Sequence, residues 1–220
     1  MPLLISDDTT ARWLLYGTAI GAVVAETIAT YLGQARRGER GPRLRGLGES
    51  FAATTLGRSR GGESADRGTK RILVWSAAIG LTACLLIAIN VPSLRFGANT
   101  WTTLVLGLAI AWLGVLLRVW AVWSLGRFFQ RDVMIQKDHV VWRGGPYRLL
   151  RHPAYAGTLI SYLGFGLAVG SWVGALVFVA VVAAGYIPRI RVEEAELTRA
   201  LGDSYRDYAR TTARLVPGLW

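Results

Sequence analysis

Residues 101–123 read WTTLVLGLAIAWLGVLLRVWAVW, with a single charge, Arg118. A run of about 20 apolar residues is what a bilayer-spanning helix needs. A water-soluble helix would carry charge along one face every third or fourth position, and this run does not. Trp stands at both ends, as in an interfacial aromatic belt. Arg118 lies one turn or so from the end, where it can snorkel or reach into a polar site.

Upstream lie two comparable runs. Ile72–Val91 is nearly charge-free and closes on Asn90, Val91 and Pro92. Trp13–Leu32 contains Glu26, costly in hydrocarbon unless it faces other helices or snorkels. Ser6, Asp7 and Asp8 precede this first run where a cleavable signal would be basic, so the run is expected to persist as a helix. Between the two runs, residues 34–71 hold ten Lys or Arg against four Asp or Glu and have few apolar residues to build a core. They read as a loop, with Arg36, Arg37, Arg40, Arg43 and Arg45 facing a membrane surface.

Downstream, residues 124–154 are too polar to span. Two shorter runs follow, Tyr155–Val169 and Trp172–Ile187, separated by Gly170 and Ser171 alone. So short a link forces an antiparallel helical hairpin. Gly166, Gly170 and Gly174 recur every fourth residue and suit close packing. The charged segment Arg189–Arg210 places Leu197, Leu201, Tyr205 and Tyr208 at helical spacing. It reads as an amphipathic helix leaving the membrane and folding over the preceding polar segment.

The expectation is therefore an all-α membrane protein of about five transmembrane helices. Residues 1–100 form an N-terminal region with two helices and the basic loop, and residues 101–220 a functional core. Five spans with an outer N-terminus put residues 34–71, 124–154 and 188–220 on one side, holding 10, 6 and 6 of the 25 basic residues. Positive charge accumulates on the cytoplasmic side. The expected setting is an inner or plasma membrane of bacterial type, with the polar segments cytoplasmic. The net charge of +11 then answers to anionic lipid headgroups rather than nucleic acid. The lone cysteine, Cys84, can make no internal disulfide, and with two His it offers no metal cluster. Gly164–Phe165–Gly166 lies within a membrane run and is no dinucleotide fingerprint.

Two constellations can carry chemistry. The first is Gly144, Gly145, Pro146, Tyr147 and Arg148, followed by Arg151, His152, Pro153, Ala154, Tyr155, Ala156 and Gly157. Gly and Pro make a tight turn, and Pro153 opens a helix. The N-terminus of that helix offers N–H groups to a carboxylate. An interfacial anchor of Tyr, Arg and His would read the same way. The second is Arg189, Arg191, Glu193, Glu194 and Glu196. Arg189 and Glu193 share a helix face, which a simple intrahelical ion pair would also explain.

In this order and spacing, the two constellations resemble the isoprenylcysteine carboxyl methyltransferase family, integral membrane enzymes related to the phospholipid N-methyltransferases. The likeness runs from about Arg118 to Pro217 and includes Gly202, Tyr205, Tyr208 and Arg214. It implies S-adenosylmethionine as methyl donor, in a pocket formed by the cytoplasmic loop and the C-terminal amphipathic helix. By position, the donor would touch Gln136, His139, Val140, Val141, Trp142, Tyr147, His152, Pro153, Ala154, Tyr155 and Glu193. Arg189 falls where the family binds the acceptor. The implied acceptor is a carboxylate on a lipid-like, prenylcysteine-type molecule. The alternatives are N-methylation of a phospholipid or amine and, outside enzymes, a non-catalytic membrane scaffold.

Overall fold

A computed structural model describes residues 9–35, 68–94, 100–125 and 141–218. Most of the basic stretch, the side chain of Glu26, and Gln136, His139 and Val140 lie outside the described residues. Six α-helices are described: α1 (Thr9–Ala35), α2 (Thr69–Asn90), α3 (Thr100–Leu125), α4 (Pro153–Val169), α5 (Trp172–Leu201) and α6 (Asp203–Thr211). There is no β-strand among the described residues, only one isolated parallel bridge, Leu150 to Ala213.

Within Arg71–Asn90, Trp101–Leu125 and Trp172–Leu201 the helices are long and apolar enough to cross a bilayer, and α4 is a shorter apolar helix. The protein is an integral membrane protein. Large side chains such as Trp75, Leu113 and Leu116 stand exposed on the outside of the bundle, where lipid would cover them.

Helices α3 and α4 pack most intimately, and small residues make this possible. A Cβ on Gly107 would lie 2.7 Å from the Gly164 carbonyl oxygen, and one on Gly157 would lie 2.7 Å from that of Gly114. Gly107 and Gly114 are two turns apart on α3, as are Gly157 and Gly164 on antiparallel α4. The backbones therefore touch along one seam, the geometry by which membrane helices associate. Ser161 Oγ lies 3.1 Å from the Ala111 carbonyl and donates along this seam. Arg118 does not snorkel outward. Its Nη1 donates to the Ala154 carbonyl at 3.1 Å and to Thr158 Oγ1 at 3.0 Å, tying α3 to the first turns of α4.

The hairpin forms where expected. Gly170 takes φ +103°, which favours glycine. Ser171 caps α5 by accepting from Gly174 N–H at 3.1 Å and donates to the Leu94 carbonyl. Gly166 meets Ala175 on α5, and Gly174 meets Cys84 on α2, so these glycines serve packing at separate interfaces.

One boundary differs from expectation. The run ending at Ile187 and the segment beginning at Arg189 form one 30-residue helix, α5, which passes through Pro188. Proline removes a single N–H from the ladder, and the packing of α5 on α2 and α4 offsets that loss. Tyr186, Arg189 and Ile190 are all buried around it. The break comes instead at Gly202, with φ +57°, where the chain turns into α6.

Candidate functional site

The site grows from the turn before α4. Gly145 has φ +55°, and a Cβ there would lie 2.6 Å from Ser124 Oγ at the end of α3. The 3-10 turn Gly145–Arg148 buries Tyr147. The Tyr208 hydroxyl on α6 donates to the Tyr147 carbonyl at 2.8 Å and to the Leu150 carbonyl at 3.3 Å. The next residues pair with the C-terminal tail: Arg151 N–H donates to the Ala213 carbonyl at 2.7 Å, and His152 N–H to that of Arg214 at 3.1 Å. A segment after α6 is thereby strapped across the entry to α4.

Glu194 is the knot under this strap. Arg151 Nη1 lies 2.9 Å and His152 Nε2 3.3 Å from its Oε1, and Arg214 Nε lies 3.0 Å from its Oε2. Three basic side chains from two places in the sequence converge on one largely buried carboxylate. With Nε2 turned to Glu194, the His152 ring is fixed in orientation, and only 5% of the residue is exposed.

On the other side of His152 lies Glu193. Its Oε2 accepts from the Tyr155 hydroxyl at 2.8 Å and lies 3.9 Å from His152 Nδ1. Its Oε1 makes no hydrogen bond among the described residues, and the side chain is 31% exposed. Three rings stack in file: His152 on Tyr155 at 5.5 Å and Tyr155 on Tyr186 at 4.5 Å. Arg189, 4% exposed, donates from Nε to the Tyr155 hydroxyl at 3.4 Å and from Nη1 to Thr69 Oγ1 at 3.1 Å. A buried guanidinium and an accessible carboxylate thus meet through one phenol.

The surrounding phenols are held in their neutral form. Burial, and then the charge of Glu193, hold the Tyr147 phenol well above its ordinary range. Burial and the charges of Glu194 and Glu193 do the same for Tyr205. Burial pushes Tyr208 up to about 12 despite the opposing pull of Thr212, Arg151 and Arg143.

The structure gathers Tyr147, His152, Pro153, Ala154, Tyr155, Arg189 and Glu193 around the mouth of α4. Val141 and Trp142 lie on the non-helical approach to Gly144. Trp142 is exposed, and its indole lies over Gly144. Glu194, Arg214, Tyr186 and Thr69 received no role from the sequence. For Glu194 a signal existed, an acid adjoining Glu193 with Arg151 and His152 already implicated. For Thr69 there was none.

Together, the fold and site define an integral membrane protein with a polar, charge-bearing cluster of side chains at one end of its helices. Residues 102–204 match the family model described as phospholipid methyltransferase. The chain is 33% identical to the protein-S-isoprenylcysteine O-methyltransferase of Schizosaccharomyces pombe, over 63% of this chain and 64% of that protein. It is 33% identical to the methanethiol S-methyltransferase of Mycobacterium tuberculosis, over 50% of this chain and 47% of that one. The chain spans about half to two thirds of the length of these curated relatives. A solved eukaryotic intramembrane Ras methyltransferase, isoprenylcysteine carboxyl methyltransferase, shares the fold, with a TM-score of 0.64 and 20% identity, covering 99% of this chain and 71% of that one. The chain is thus similar to an isoprenylcysteine O-methyltransferase in sequence and to an isoprenylcysteine carboxyl methyltransferase in fold, the resemblance its motifs carry.

Proposed function

We propose that this protein is an integral membrane methyltransferase that uses S-adenosylmethionine to O-methylate a carboxylate on a lipid-like, prenylcysteine-type acceptor. The observation that carries the reading is the buried guanidinium of Arg189, set beside the Tyr155–Glu193 pair at the membrane end of the site. The curated relative from S. pombe, named for this reaction, supports it.

The donor set suits S-adenosylmethionine. Glu193 offers an accessible carboxylate to a cation or to ribose hydroxyls. The His152–Tyr155 stack backs this carboxylate, and the first turn of α4, Pro153 and Ala154, lies alongside. Tyr147 forms part of the wall, and Gln136, His139, Val140, Val141 and Trp142 would complete it. When bound, the donor supplies an electrophilic methyl group on a sulfonium.

The chain's own residues have limited chemistry to perform. A carboxylate acceptor is already ionised near neutral pH, so no general base is needed. Arg189 holds and orients the acceptor, Glu193 holds the donor's positive end, and the stacked rings with the strap exclude water. Catalysis then rests on alignment and a dry site. The mycobacterial relative acts on a thiol. A thiol must first ionise to attack, whereas a carboxylate arrives charged; a neutral amine gains nothing from a buried guanidinium, and a protonated amine would be repelled by it.

In this reading the helices make five crossings with the N-terminus outside, and the site faces the cytoplasm. Residues 1–100 form an N-terminal membrane region beside the methyltransferase core of 101–220. The charge distribution between spans supports that orientation.

The test is a split of affinities on purified protein in lipid. Arg189→Ala is expected to lose the carboxylate acceptor while keeping S-adenosylmethionine, and Glu193→Ala to weaken S-adenosylmethionine itself. If both variants bind both ligands as the wild type does, the assignment is wrong.

A further inference from the structure

The acceptor-side guanidinium is held from two directions. Tyr155 belongs to the segment matched by the family model, whereas Thr69 lies outside it, in the N-terminal half. Thr69 is the first residue of α2 and is 3% exposed. Its position is set by the seam between α2 and α5. A Cβ on Gly185 would lie 2.8 Å from Ser76 Cβ, one on Gly80 would lie 3.1 Å from the Phe178 carbonyl oxygen, and one on Gly174 would lie 3.0 Å from that of Cys84. Three close approaches along about three turns of α5 fix the register of α2 on it. That register brings the first turn of α2 level with Arg189. At the α2 entrance Gly68 takes φ +78°, which turns the chain so that the helix begins there.

We propose that Thr69 is a positioning residue for the methyl acceptor. It holds the plane of the Arg189 guanidinium, so that the N-terminal half contributes directly to acceptor recognition. The physical reason is the shape of the donor group. A guanidinium is planar and presents its N–H groups as a rigid fork. Hydrogen bonds from Nε to Tyr155 and from Nη1 to Thr69 Oγ1 constrain that plane at two points. Tyr155 is the longer contact, at 3.4 Å against 3.1 Å, so Thr69 is the better-formed constraint. Valine at position 69 would keep the shape of the side chain but lose the hydroxyl, while serine would keep the hydroxyl.

This inference rests on the reading of Arg189 as the acceptor-binding cation. The experiment compares wild type, Thr69→Val, Thr69→Ser and Arg189→Lys in lipid, using a soluble farnesylcysteine carboxylate as acceptor and labelled S-adenosylmethionine as donor. Thr69→Val is expected to raise the acceptor KM by about tenfold, the scale of one hydrogen bond to a charged group. Its affinity for S-adenosylmethionine and its kcat should stay within about twofold, well inside the tenfold step worth 1.4 kcal/mol. Thr69→Ser should restore the KM. An unchanged KM in Thr69→Val, with a raised KM in Arg189→Lys, overturns the role of Thr69 and leaves the Arg189 reading intact. An unchanged KM in both overturns both. Equal losses of donor and acceptor binding in Thr69→Val mark a general structural role and also overturn the proposal.

Discussion

Replacing Glu194 with Gln tests the knot beneath the strap. The substitution keeps size and shape but removes the charge and turns one acceptor oxygen into an NH2 donor. Arg151 Nη1 at 2.9 Å, Arg214 Nε at 3.0 Å and His152 Nε2 at 3.3 Å would then face a neutral amide. Arg151 and Glu194 are 12% and 13% exposed in their side chains, so water cannot replace the lost partner cheaply. Removing one member of a buried ion pair costs about 3–5 kcal/mol. The tail carries Arg214 with 35% of its side chain exposed and can relax, which favours the low end of that range. At about 2–4 °C per kcal/mol for a chain of this size, a cost of 3 kcal/mol lowers the unfolding midpoint by about 6–12 °C. The assay is intrinsic-fluorescence unfolding in a defined detergent, beside Arg206→Ala, whose exposed partner Asp203 makes a surface pair worth less than about 1 kcal/mol. A Glu194→Gln midpoint indistinguishable from that of Arg206→Ala would refute the convergence argued for Glu194.

Gly164→Leu should prevent proper packing of α3 on α4, because even a Cβ there lies 2.6 Å from the Gly107 carbonyl oxygen. The cost is about 3 kcal/mol or more, read as loss of the monodisperse peak on size-exclusion chromatography, while Gly17→Ala, with open space around it, elutes normally. Tyr208 should make stability depend on alkaline pH. Its folded-state value of about 12 lies above its ordinary 10, so its contribution is full below pH 10 and is lost as pH rises towards about 12. The unfolding midpoint should fall across that window, and Tyr208→Phe should make the fall shallower; an unaltered slope contradicts this. Arg118→Leu should uncouple α3 from the first turns of α4, lowering the midpoint by about 3–12 °C for the loss of about 1.5–3 kcal/mol, the scale of one hydrogen bond from a charged group.

Much of this arrangement was legible because hydrocarbon imposes a simple rule on sequence. The runs Ile72–Val91 and Trp101–Trp123 coincide within a few residues with α2 and α3, since apolar length alone sets a span. The hairpin at Gly170–Ser171 was equally plain, as its link admits no other connection. The continuity of α5 through Pro188 was not, because local propensity argues for a break and only packing against α2 and α4 overrides it. The α3–α4 seam was also missed. Gly107 and Gly114 gain meaning only from their partners on α4, whereas the more regular Gly166–Gly170–Gly174 series drew the eye. In the site, helix period puts Arg189 and Glu193 on one face of α5, and the short Arg151–Tyr155 motif keeps His152 and Tyr155 together at the start of α4. Glu194 and Thr69 depend on contacts across 20 and 120 residues, to Arg214 and Arg189 respectively. No local pattern encodes such distances.

Transfer of labelled methyl from S-adenosylmethionine to acceptors by the purified protein in lipid tests the account most directly. The expected result is label on a farnesylcysteine carboxylate, with none on its carboxamide counterpart or on phosphatidylethanolamine, and loss of that transfer in Arg189→Ala. Equal labelling of acid and carboxamide, or transfer that survives Arg189→Ala, would contradict the claim that a buried guanidinium selects a carboxylate.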